Sequence, residues 1–407
     1  MKVGIGYANE PDPLLSATRV IGEAVETGGI SRPGLAIAFC GGQLDPDAYL
    51  KGLQSHLGMD VPVIGGSAIG VITNEHLSYR GYPATAAVLE LNGIQCVVVS
   101  QTGLNGNERQ TGRKLAEGLP DHTSDGLLFI LYDSLKIPAG GDIPPVLNAS
   151  APLIEGIEGA LRPYVPVFGA GLISDYGFAK STSQFCGTFS ATGSAAALLL
   201  SGNFQYYYRI MHGCSPLDGV YRKITKMAGS AIYELDGRPV VEIIDGLYGS
   251  GDWHHQHPVD LLTIGVNHGR RFGVPEEGSY VNRLITGILP DGKGIGMFEP
   301  DLEPGMEIQF MLRDGKKMIE SARKNATELM AQVQADGKKA RFGIYIDCAG
   351  RTGDYSNTPI EEAEEIQHVL NKHGTPLVGF YSGVEIAPFL HKSRGLDWTG
   401  VLLVLAE

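Results

Sequence analysis

Cysteine is scarce in this chain of 407 residues, and none is spaced for a structural role. The five cysteines lie far apart and form no Cys-x-x-Cys pair, so neither a zinc site nor a disulfide framework is indicated. The first ten residues lack the apolar core of a secretory signal. No apolar run approaches the ~20 residues that cross a bilayer. We therefore expect a cytoplasmic protein that does not act on membranes.

Clustered positive charge is also lacking. The formal net charge is −13, from 45 Asp and Glu against 32 Lys and Arg, with no extended run of basic residues. Because nucleic-acid phosphates are bound by clustered cations, we expect no nucleic-acid partner. The chain has no Gly-Lys-Ser/Thr phosphate loop, and the spacing of glycines in 65–70 does not fit a dinucleotide fingerprint.

Glycine, by contrast, is abundant. The 56 glycines make up about twice the usual ~7% of residues, and they cluster near strand ends and turns. This pattern indicates tight turns or close approaches of the backbone. The apolar content of 43% suffices for a large core. Since single cores stop growing near ~250–300 residues, the length predicts two domains.

A pattern that recurs three times predicts the architecture. Each copy has an opening apolar run, a helix-like stretch, a Pro-apolar-apolar-Gly turn and a closing apolar run. The opening runs are 34–39, 126–131 and 343–348, the turns are 62–65, 166–169 and 376–379, and the closing runs are 86–91, 195–200 and 400–405. Asp45-Pro46 and Thr358-Pro359 are typical starts of the helices in the first and third copies.

These units predict an α/β fold of repeated β-α-β units, which form mixed sheets with outer helices. Two further helices are expected, at 12–28 and 316–333, from their caps and apolar stripes. We expect two intimately packed halves, with domains at 1–205 and 206–407.

Several short motifs, in order along the chain, resemble the FIST (F-box and intracellular signal transduction) sensory domain family. They are His212–Pro216, 232–239, 283–287, Leu312-Arg-Asp314, Cys348-Ala-Gly-Arg351 and 379–388. In the N-terminal half, residues 65–71 resemble the family's G-C-S-T-x-G-E turn, with Gly66 in place of Cys and Val71 in place of Glu. The resemblance covers residues 34–391. It implies a cytoplasmic small-ligand sensor in signal transduction, with an amino acid as ligand, haem in some members, and a signalling output protein as partner.

The sharpest candidate site lies in the third copy. Gly379 and Gly383 let the backbone approach a ligand, while Tyr381 and Glu385 supply polar groups, and Glu385 can accept from an α-ammonium. Arg351 is able to bind a carboxylate through two hydrogen bonds. Because ligands in α/β folds favour the carboxyl ends of strands, we expect these residues to converge there.

Three further residues complete the candidate ligand-binding set. Arg283 interrupts an apolar strand, which indicates either a ligand contact or a buried ion pair. Cys348 follows the opening strand of the third copy. Cys214 belongs to a loop that is either functional or the entry to the second domain.

Two alternatives remain open. A hydrolase would use Cys214 or Cys348 with a histidine such as His212, but no triad pattern occurs, so a non-enzymatic protein is favoured and no catalytic residue is assigned. A haem- or metal-dependent sensor would use histidines such as His254, His257 and His268. The segment 254–257 lacks firm ligand spacing, so a solvated loop is favoured and neither a metal nor another cofactor is predicted.

Overall fold

Three copies of one motif make up most of the chain in the computed structural model, which describes residues 1–120, 125–140, 145–356, 358 and 360–407. Each copy is a strand, helix, strand, helix, strand, a short hairpin and a closing strand. The predicted α/β repeat is confirmed. Each copy also contains a strand and a helix before the opening run, which the sequence pattern had not assigned to the repeat.

The first copy begins with a well-capped helix, because Asp12 accepts from the amides of Leu14 and Leu15, and Pro13 occupies the first helical position. Asp45 caps the second helix in the same way, as predicted. The elements are β1 (Lys2–Asn9), α1 (Pro13–Gly28), β2 (Leu35–Gly41), α2 (Pro46–Leu57), β3 (Val63–Ala68), β4 (Val71–Thr73), β5 (Leu77–Ser78) and β6 (Pro83–Glu90).

The second copy repeats this order. Its elements are β7 (Ile94–Thr102), α3 (Glu108–Glu117), β8 (Leu127–Asp133), β9 (Leu135–Ile137), β10 (Val146–Leu147), α4 (Ser150–Ala160), β11 (Val167–Leu172), β12 (Gln184–Cys186), β13 (Phe189–Ala191) and β14 (Ser194–Gly202).

The third copy begins with β15 (Gln205–Met211) and is then interrupted by an insertion, residues 213–314. The insertion contains β16 (Ser215–Pro216), β17 (Arg222–Ala228), β18 (Ala231–Leu235), β19 (Arg238–Pro239), α5 (Val240–Tyr248), β20 (Leu262–Asn267), β21 (Tyr280–Arg283), β22 (Ile285–Ile288), β23 (Ile295–Met297) and β24 (Glu307–Leu312). The copy then continues with α6 (Gly315–Ala335), β25 (Ala340–Cys348), α7 (Gly353–Ser356), α8 (Glu362–Lys372), β26 (Leu377–Ser382), β27 (Val384–Phe389), β28 (Lys392–Leu396) and β29 (Gly400–Ala406).

The three sheets have the same topology and exchange hairpins in a ring. Their strand orders are β1-β6-β2-β3-β12-β13, β7-β14-β8-β11-β27-β28 and β15-β29-β25-β26-β4-β5. In each sheet the opening strand is parallel to the strand after the second helix and antiparallel to the closing strand. The β4–β5 hairpin of the first copy extends the third sheet. The β12–β13 hairpin of the second copy extends the first sheet, and the β27–β28 hairpin of the third copy extends the second sheet. The copies are therefore interlocked.

The sheets enclose a central apolar core, and helices cover their outer faces. Phe39, Phe129, Phe168, Phe342 and Phe380 belong to this central core, so all three sheets contribute to it. Separate outer clusters pack α1 and α2, α3 and α4, and α6 and α8 against their own sheets. The insertion has an apolar cluster of its own. The predicted mixed sheets with outer helices are therefore confirmed. Among the described residues, no helix is both long and apolar enough to cross a bilayer.

Two local predictions need correction. The Pro-apolar-apolar-Gly segments are not turns, because β3, β11 and β26 begin at the residue after each proline. The glycine of each segment lies inside a strand, where a carbonyl of the opening strand approaches closely: a Cβ at Gly169 would lie 1.8 Å from Ile130 O. The second helix of the third copy begins at Glu362 with a capping box formed by Glu361 and Glu364. The predicted start at Pro359 lies outside the described residues.

Candidate functional site

The carboxyl ends of β25 and β26 carry buried polar groups. Cys348, Arg351, Tyr381 and Glu385 lie here, and each is less than 5% exposed. The second copy also contributes to this region, since β27, which carries Glu385, pairs with β11 of the second sheet. Four of the predicted site residues are thus brought together at a junction of two sheets.

Arg351 is fully buried and forms a two-point ion pair. Its Nε donates to Glu362 Oε1 at 2.7 Å, and its Nη2 donates to the other oxygen of the same carboxylate. Nη1 donates to the carbonyl oxygens of His212, at 3.0 Å, and Trp398, at 2.6 Å. Asp347 Oδ1 lies 3.5 Å from Nε. A ligand carboxylate would have to displace Glu362 to bind Arg351 in the predicted way.

Tyr381 is engaged with a neighbouring glutamate. Its hydroxyl donates to Glu361 Oε2 at 2.6 Å. Tyr79, from the hairpin contributed by the first copy, donates to Oε1 of the same carboxylate at 2.7 Å. The two tyrosines therefore fix the residue before α8, and the next residue, Glu362, is the partner of Arg351.

Two carboxyl groups beside this ion pair have few partners. Asp347 is fully buried, and neither of its oxygens accepts a hydrogen bond among the described residues. Glu385 accepts from Ser382 Oγ at 2.8 Å and from the Thr399 amide at 3.3 Å. Burial raises the pKa of both carboxyls, and the charge of Glu362 raises the pKa of Asp347 further. Both side chains therefore favour the protonated, neutral form.

Arg283 also forms a buried ion pair, which is one of the two roles that the sequence indicated. Its Nε donates to Asp301 Oδ1 at 2.6 Å, and its Nη1 donates to two backbone carbonyls. Asp397 lies beside this pair and accepts from the Leu284 amide at 2.8 Å through Oδ2, whereas Oδ1 has no partner among the described residues. Burial raises the pKa of Asp397 to about 7.

Arg313 differs from these two arginines because no carboxylate among the described residues pairs with it. Its Nη1 donates to Asp260 O at 2.6 Å and its Nη2 to Gly350 O at 3.0 Å, while Nε has no partner in that part of the chain. Burial lowers the pKa of Arg313 to about 10. Arg313 belongs to the Leu312-Arg-Asp314 motif, but the sequence does not indicate a site role for it. Whether a carboxylate pairs with Arg313 depends on residues far away in the chain.

Trp398 covers the guanidinium of Arg313 and has an unusual backbone. The guanidinium carbon lies 3.4 Å from the centre of the indole. Trp398 has a φ of 54°, a left-handed conformation that costs a bulky residue ~1–3 kcal/mol and is concentrated at functional sites. Its Nε1 has no hydrogen-bond partner among the described residues. Nothing in the local sequence indicates this strain.

Cys348 is an electrostatic neighbour that Arg313 and the carboxyl groups share. It is buried and interacts electrostatically with Arg313 and with Glu385. Burial raises the pKa of the Cys348 thiol, so it remains neutral.

Cys214 and His212 do not form a nucleophile–base pair. His212 Nδ1 accepts from the Cys214 backbone amide at 2.9 Å, and Nε2 lies 3.0 Å from Glu277 O. Both ring nitrogens are therefore occupied by backbone groups. Burial raises the pKa of the Cys214 thiol to about 11 and lowers the pKa of His212. This arrangement does not activate the thiol.

Gly379 and Gly383 are closely approached by protein atoms. Gly379 lies inside β26 rather than at its end, and a Cβ there would lie 2.4 Å from Tyr345 O. Gly383 joins β26 to β27, and a Cβ there would lie 2.9 Å from Ile173 Cγ2 and 3.3 Å from Ser134 Oγ. Gly379 lets β26 lie close to β25 of the same copy, and Gly383 lets the third copy meet residues of the second copy at the junction.

The histidines considered for metal or haem lie apart from the junction residues in sequence and have other contacts. His254 Nε2 lies 2.8 Å from Asp245 Oδ1, and the ring of His268 lies edge-on to Phe389. His257 Nδ1 is 3.3 Å from Thr286 O. Among the described residues, no group of three or more His, Cys, Asp or Glu side chains is arranged to hold a metal ion.

The fold and the buried charges define an α/β protein with an internal polar site. The FIST N domain matches residues 34–238, and the FIST C domain matches residues 252–388. The chain therefore belongs to the FIST family, whose domains are sensory domains of signal transduction. Two relatives are each 25% identical over 413 residues, covering 100% of this chain and 99% of theirs: the uncharacterized proteins Mb0898c of Mycobacterium bovis and MT0897 of Mycobacterium tuberculosis.

Solved structures show only a weak likeness. Phosphoribosylformylglycinamidine synthase II of Thermotoga maritima aligns with 99% of this chain and 71% of its own, at 9% identity and a TM-score of 0.22. The complex of T. maritima PurL with ATP gives 11% identity and a TM-score of 0.23, with the same coverage. Such TM-scores support no conclusion about this chain.

Proposed function

We propose that this protein senses a small zwitterionic metabolite, in the first instance an amino acid, bound between Arg313 and the carboxyl groups of Asp347 and Glu385. One observation carries the proposal: Arg313 is a buried guanidinium without a carboxylate partner among the described residues, and its electrostatic neighbour Cys348 also interacts with the buried carboxyl groups of Glu385 and Asp347. An α-carboxylate would supply the ionic partner that Arg313 lacks, and an α-ammonium would supply an ionic partner for the carboxyl groups.

The balance of buried charge supports an amine-bearing ligand. More carboxyl groups than guanidinium groups surround the junction, and the acidic set is Glu299, Asp301, Asp347, Glu362, Glu385 and Asp397. Arg283 and Arg351 each form a two-point pair with one carboxylate, and Asp347 lies 3.5 Å from the already paired Arg351, so the acids outnumber the cations. A bound ammonium would favour their ionised form and gain charge-assisted hydrogen bonds in a water-poor site.

The other predicted residues have supporting roles in this proposal. Arg351 holds Glu362, Arg283 holds Asp301, and Tyr381 holds Glu361, so the charged groups around the ligand stay in fixed positions. Cys348 contributes a small neutral side chain that interacts with both Arg313 and Glu385. Arg351 is the second candidate for the ligand carboxylate, and a variant at each arginine distinguishes the two.

Trp398 offers a way to convert binding into a signal. A carboxylate at the N–H edge of Arg313 would pull the guanidinium away from its position against the indole, and the strained backbone of Trp398 gains by relaxing. We therefore expect ligand binding to move Trp398 and the neighbouring loop, which a signalling output protein in the cytoplasm would detect.

A thermal-shift screen of the purified protein against the twenty amino acids tests this function. A ligand at one hundred times its Kd adds about 2.7 kcal/mol and raises Tm by a few degrees. We expect a selective shift that disappears in Arg313→Met and in Glu385→Gln. Arg323→Met, the same chemical change on the exposed face of α6, is the matched control and should keep the shift.

Two results would count against the proposal. A cooperative melt whose Tm is not shifted by any amino acid would exclude an amino acid as the ligand. A Tm shift that remains in Arg313→Met but is lost in a folded Arg351 variant would show that Arg351, rather than Arg313, binds the ligand carboxylate.

A further inference from the structure

Strand β15 has a free backbone edge. It is the end strand of its sheet, and among the described residues only β29 pairs with it. Just past the strand, the His212 amide donates to Glu277 Oε1 at 2.6 Å, away from β29. Because backbone groups alternate between the two sides of a strand, the amides and carbonyls of Tyr206, Tyr208 and Ile210 face the same side, where the Tyr208 carbonyl accepts from the side chain of Arg209 at 3.0 Å.

A cleft of about 900 Å³ lies along this edge. It is lined by residues 208–210 of β15, 274–278 of the insertion, 324–325 of α6 and 388–390 at the tip of the β27–β28 hairpin. Three consecutive residues of β15 line it, which is expected when a strand presents its edge rather than one face. Glu277 closes one end by accepting from the His212 and Gly213 amides, as an added strand would.

The equivalent cleft in the first copy is largely filled. It lies along β1, beside the tip of the β4–β5 hairpin, and measures about 280 Å³. There Tyr7 stacks on His76 at 3.9 Å and donates to Ser78 Oγ at 2.9 Å. In the third copy the corresponding tip contains Leu390, which is 52% exposed and has a φ of 51°. The first strand of every copy is an end strand of its sheet, and the third copy departs from the first in the larger cleft beside that strand.

The two sides of the cleft differ in chemistry. On the side of the central core, Tyr208 and Ile210 present partly buried apolar side chains, and Leu390 and Val274 extend this surface. Val274 is 89% exposed, and its neighbour Phe272 is 82% exposed.

The other side, toward α6, carries two basic side chains, while Glu276 and Glu277 of the insertion also line the cleft. Arg209 and Lys324 lie there, on a chain whose net charge is −13. The side chain of Lys324 is 72% exposed, and its nearest carboxylate oxygen, on Glu328, is 4.0 Å away. An acidic group in the cleft would therefore meet an available cation.

We propose that this cleft binds an extended peptide of a partner protein, which adds to β15 as a further strand and carries apolar residues alternating with Asp or Glu. Strand addition supplies hydrogen-bond partners for Tyr206, Tyr208 and Ile210. Alternate side chains of the peptide then pack on the apolar side, and those between them reach Arg209 and Lys324. The free edge, the alternating surface and the exposed ammonium of Lys324 all fit this one occupant.

Fluorescence anisotropy with a fluorescein-labelled decapeptide of alternating Val and Glu tests the proposal on the full chain. We expect saturable binding, weakened roughly tenfold in Lys324→Glu and in Val274→Glu. Leu14→Glu, at a 54% exposed position on α1, is the matched control and should bind as the wild type does. A decapeptide of alternating Val and Lys should bind roughly tenfold more weakly.

Hydrogen exchange gives a second readout that does not depend on folding of a variant. Peptide binding should protect the amides of Tyr206, Tyr208 and Ile210 in the wild-type protein. Absence of saturable binding, or binding without protection of these amides, would overturn the proposal. A concentration-dependent dimer that Val274→Glu abolishes would also overturn it, because the occupant would then be a second copy of the chain.

Discussion

The three buried arginines near the junction differ in whether a carboxylate pairs with them. Arg351 and Arg283 are paired by Glu362 and Asp301, whereas Arg313 has no such partner among the described residues. The sequence predicted that Arg351 binds a ligand carboxylate, and that Arg283, which interrupts an apolar strand, makes either a ligand contact or a buried ion pair. It did not predict their partners or indicate Arg313, because pairing depends on contacts between residues far apart in the chain.

Replacing Arg351 should destabilise the protein much more than replacing Arg313. Arg351→Met leaves Glu362 buried and unpaired, so we expect the free energy of unfolding to fall by about 3–5 kcal/mol. Arg313→Met removes a buried charge that has no ionic partner among the described residues, so we expect little loss or a gain. Urea unfolding measures both, and Arg351→Met with Glu362→Gln should recover part of the loss. Equal destabilisation by the two single substitutions would contradict this assignment.

Asp397 should make stability depend on pH in an unusual direction. Its pKa is raised from 3.8 to about 7 by burial, so between these values the folded protein keeps a proton that the unfolded chain loses. Rising pH therefore favours unfolding by ~1.4 kcal/mol per pH unit in that range. We expect the free energy of unfolding of Asp397→Asn, relative to that of the wild type, to increase as pH rises from about 4 to about 7.

Urea unfolding at a series of pH values checks this effect, with the exposed Asp60→Asn as control. A difference between wild type and Asp397→Asn that stays constant with pH would show that Asp397 does not hold the proton.

At the scale of elements, the repeat was largely predictable and the exchanged hairpins were not. Long apolar strands and capped helices have clear sequence patterns, so the three copies and the helix at 316–333 could be recognised. Strands β4 and β5 contain three and two residues, too few to show a period, and they pair with a sheet formed about 300 residues later. The sequence predicts turns at Gly65, Gly169 and Gly379 for a similar reason. The carbonyl that leaves no room for a side chain at each glycine lies on another strand, so the local sequence does not show it.

Alanine at one repeat glycine should be far more costly than alanine at a helix glycine. Gly169 has a φ of 144°, and a Cβ there would lie 1.8 Å from Ile130 O, so we expect Gly169→Ala to lose at least ~3 kcal/mol of unfolding free energy. Gly22 lies on the exposed side of α1 with nothing within 4 Å of its Cβ position, so Gly22→Ala should gain ~0.5–1 kcal/mol. Thermal or urea unfolding measures both, and a tolerated Gly169→Ala would refute this role for the glycine.

Over the whole molecule, the ring of exchanged hairpins makes the copies interdependent. The central core draws residues from all three sheets, and each sheet is completed by a hairpin of another copy. The predicted boundary at residue 205 falls at the start of β15, so it separates copies one and two from copy three. The proposed site lies where this boundary is bridged, because β27 of the third copy joins the second sheet.

Splitting the chain at that boundary should abolish folding of the separate parts. Fragment 1–205 lacks the hairpin that completes its second sheet, and fragment 206–407 lacks β4 and β5. We expect neither fragment alone to unfold cooperatively, while an equimolar mixture regains a cooperative melt followed by circular dichroism. A cooperative melt of fragment 1–205 alone at the Tm of the full chain would show that the halves fold independently.

The central claim is that one ligand joins Arg313 to the carboxyl groups across the junction. Isothermal titration calorimetry tests it with the best amino acid from the screen, its amide and its analogue without the amino group. We predict that each analogue binds roughly tenfold or more weakly to the wild type, and that Arg313→Met no longer distinguishes the amino acid from its amide. Equal affinity of the wild type for all three compounds would contradict the account.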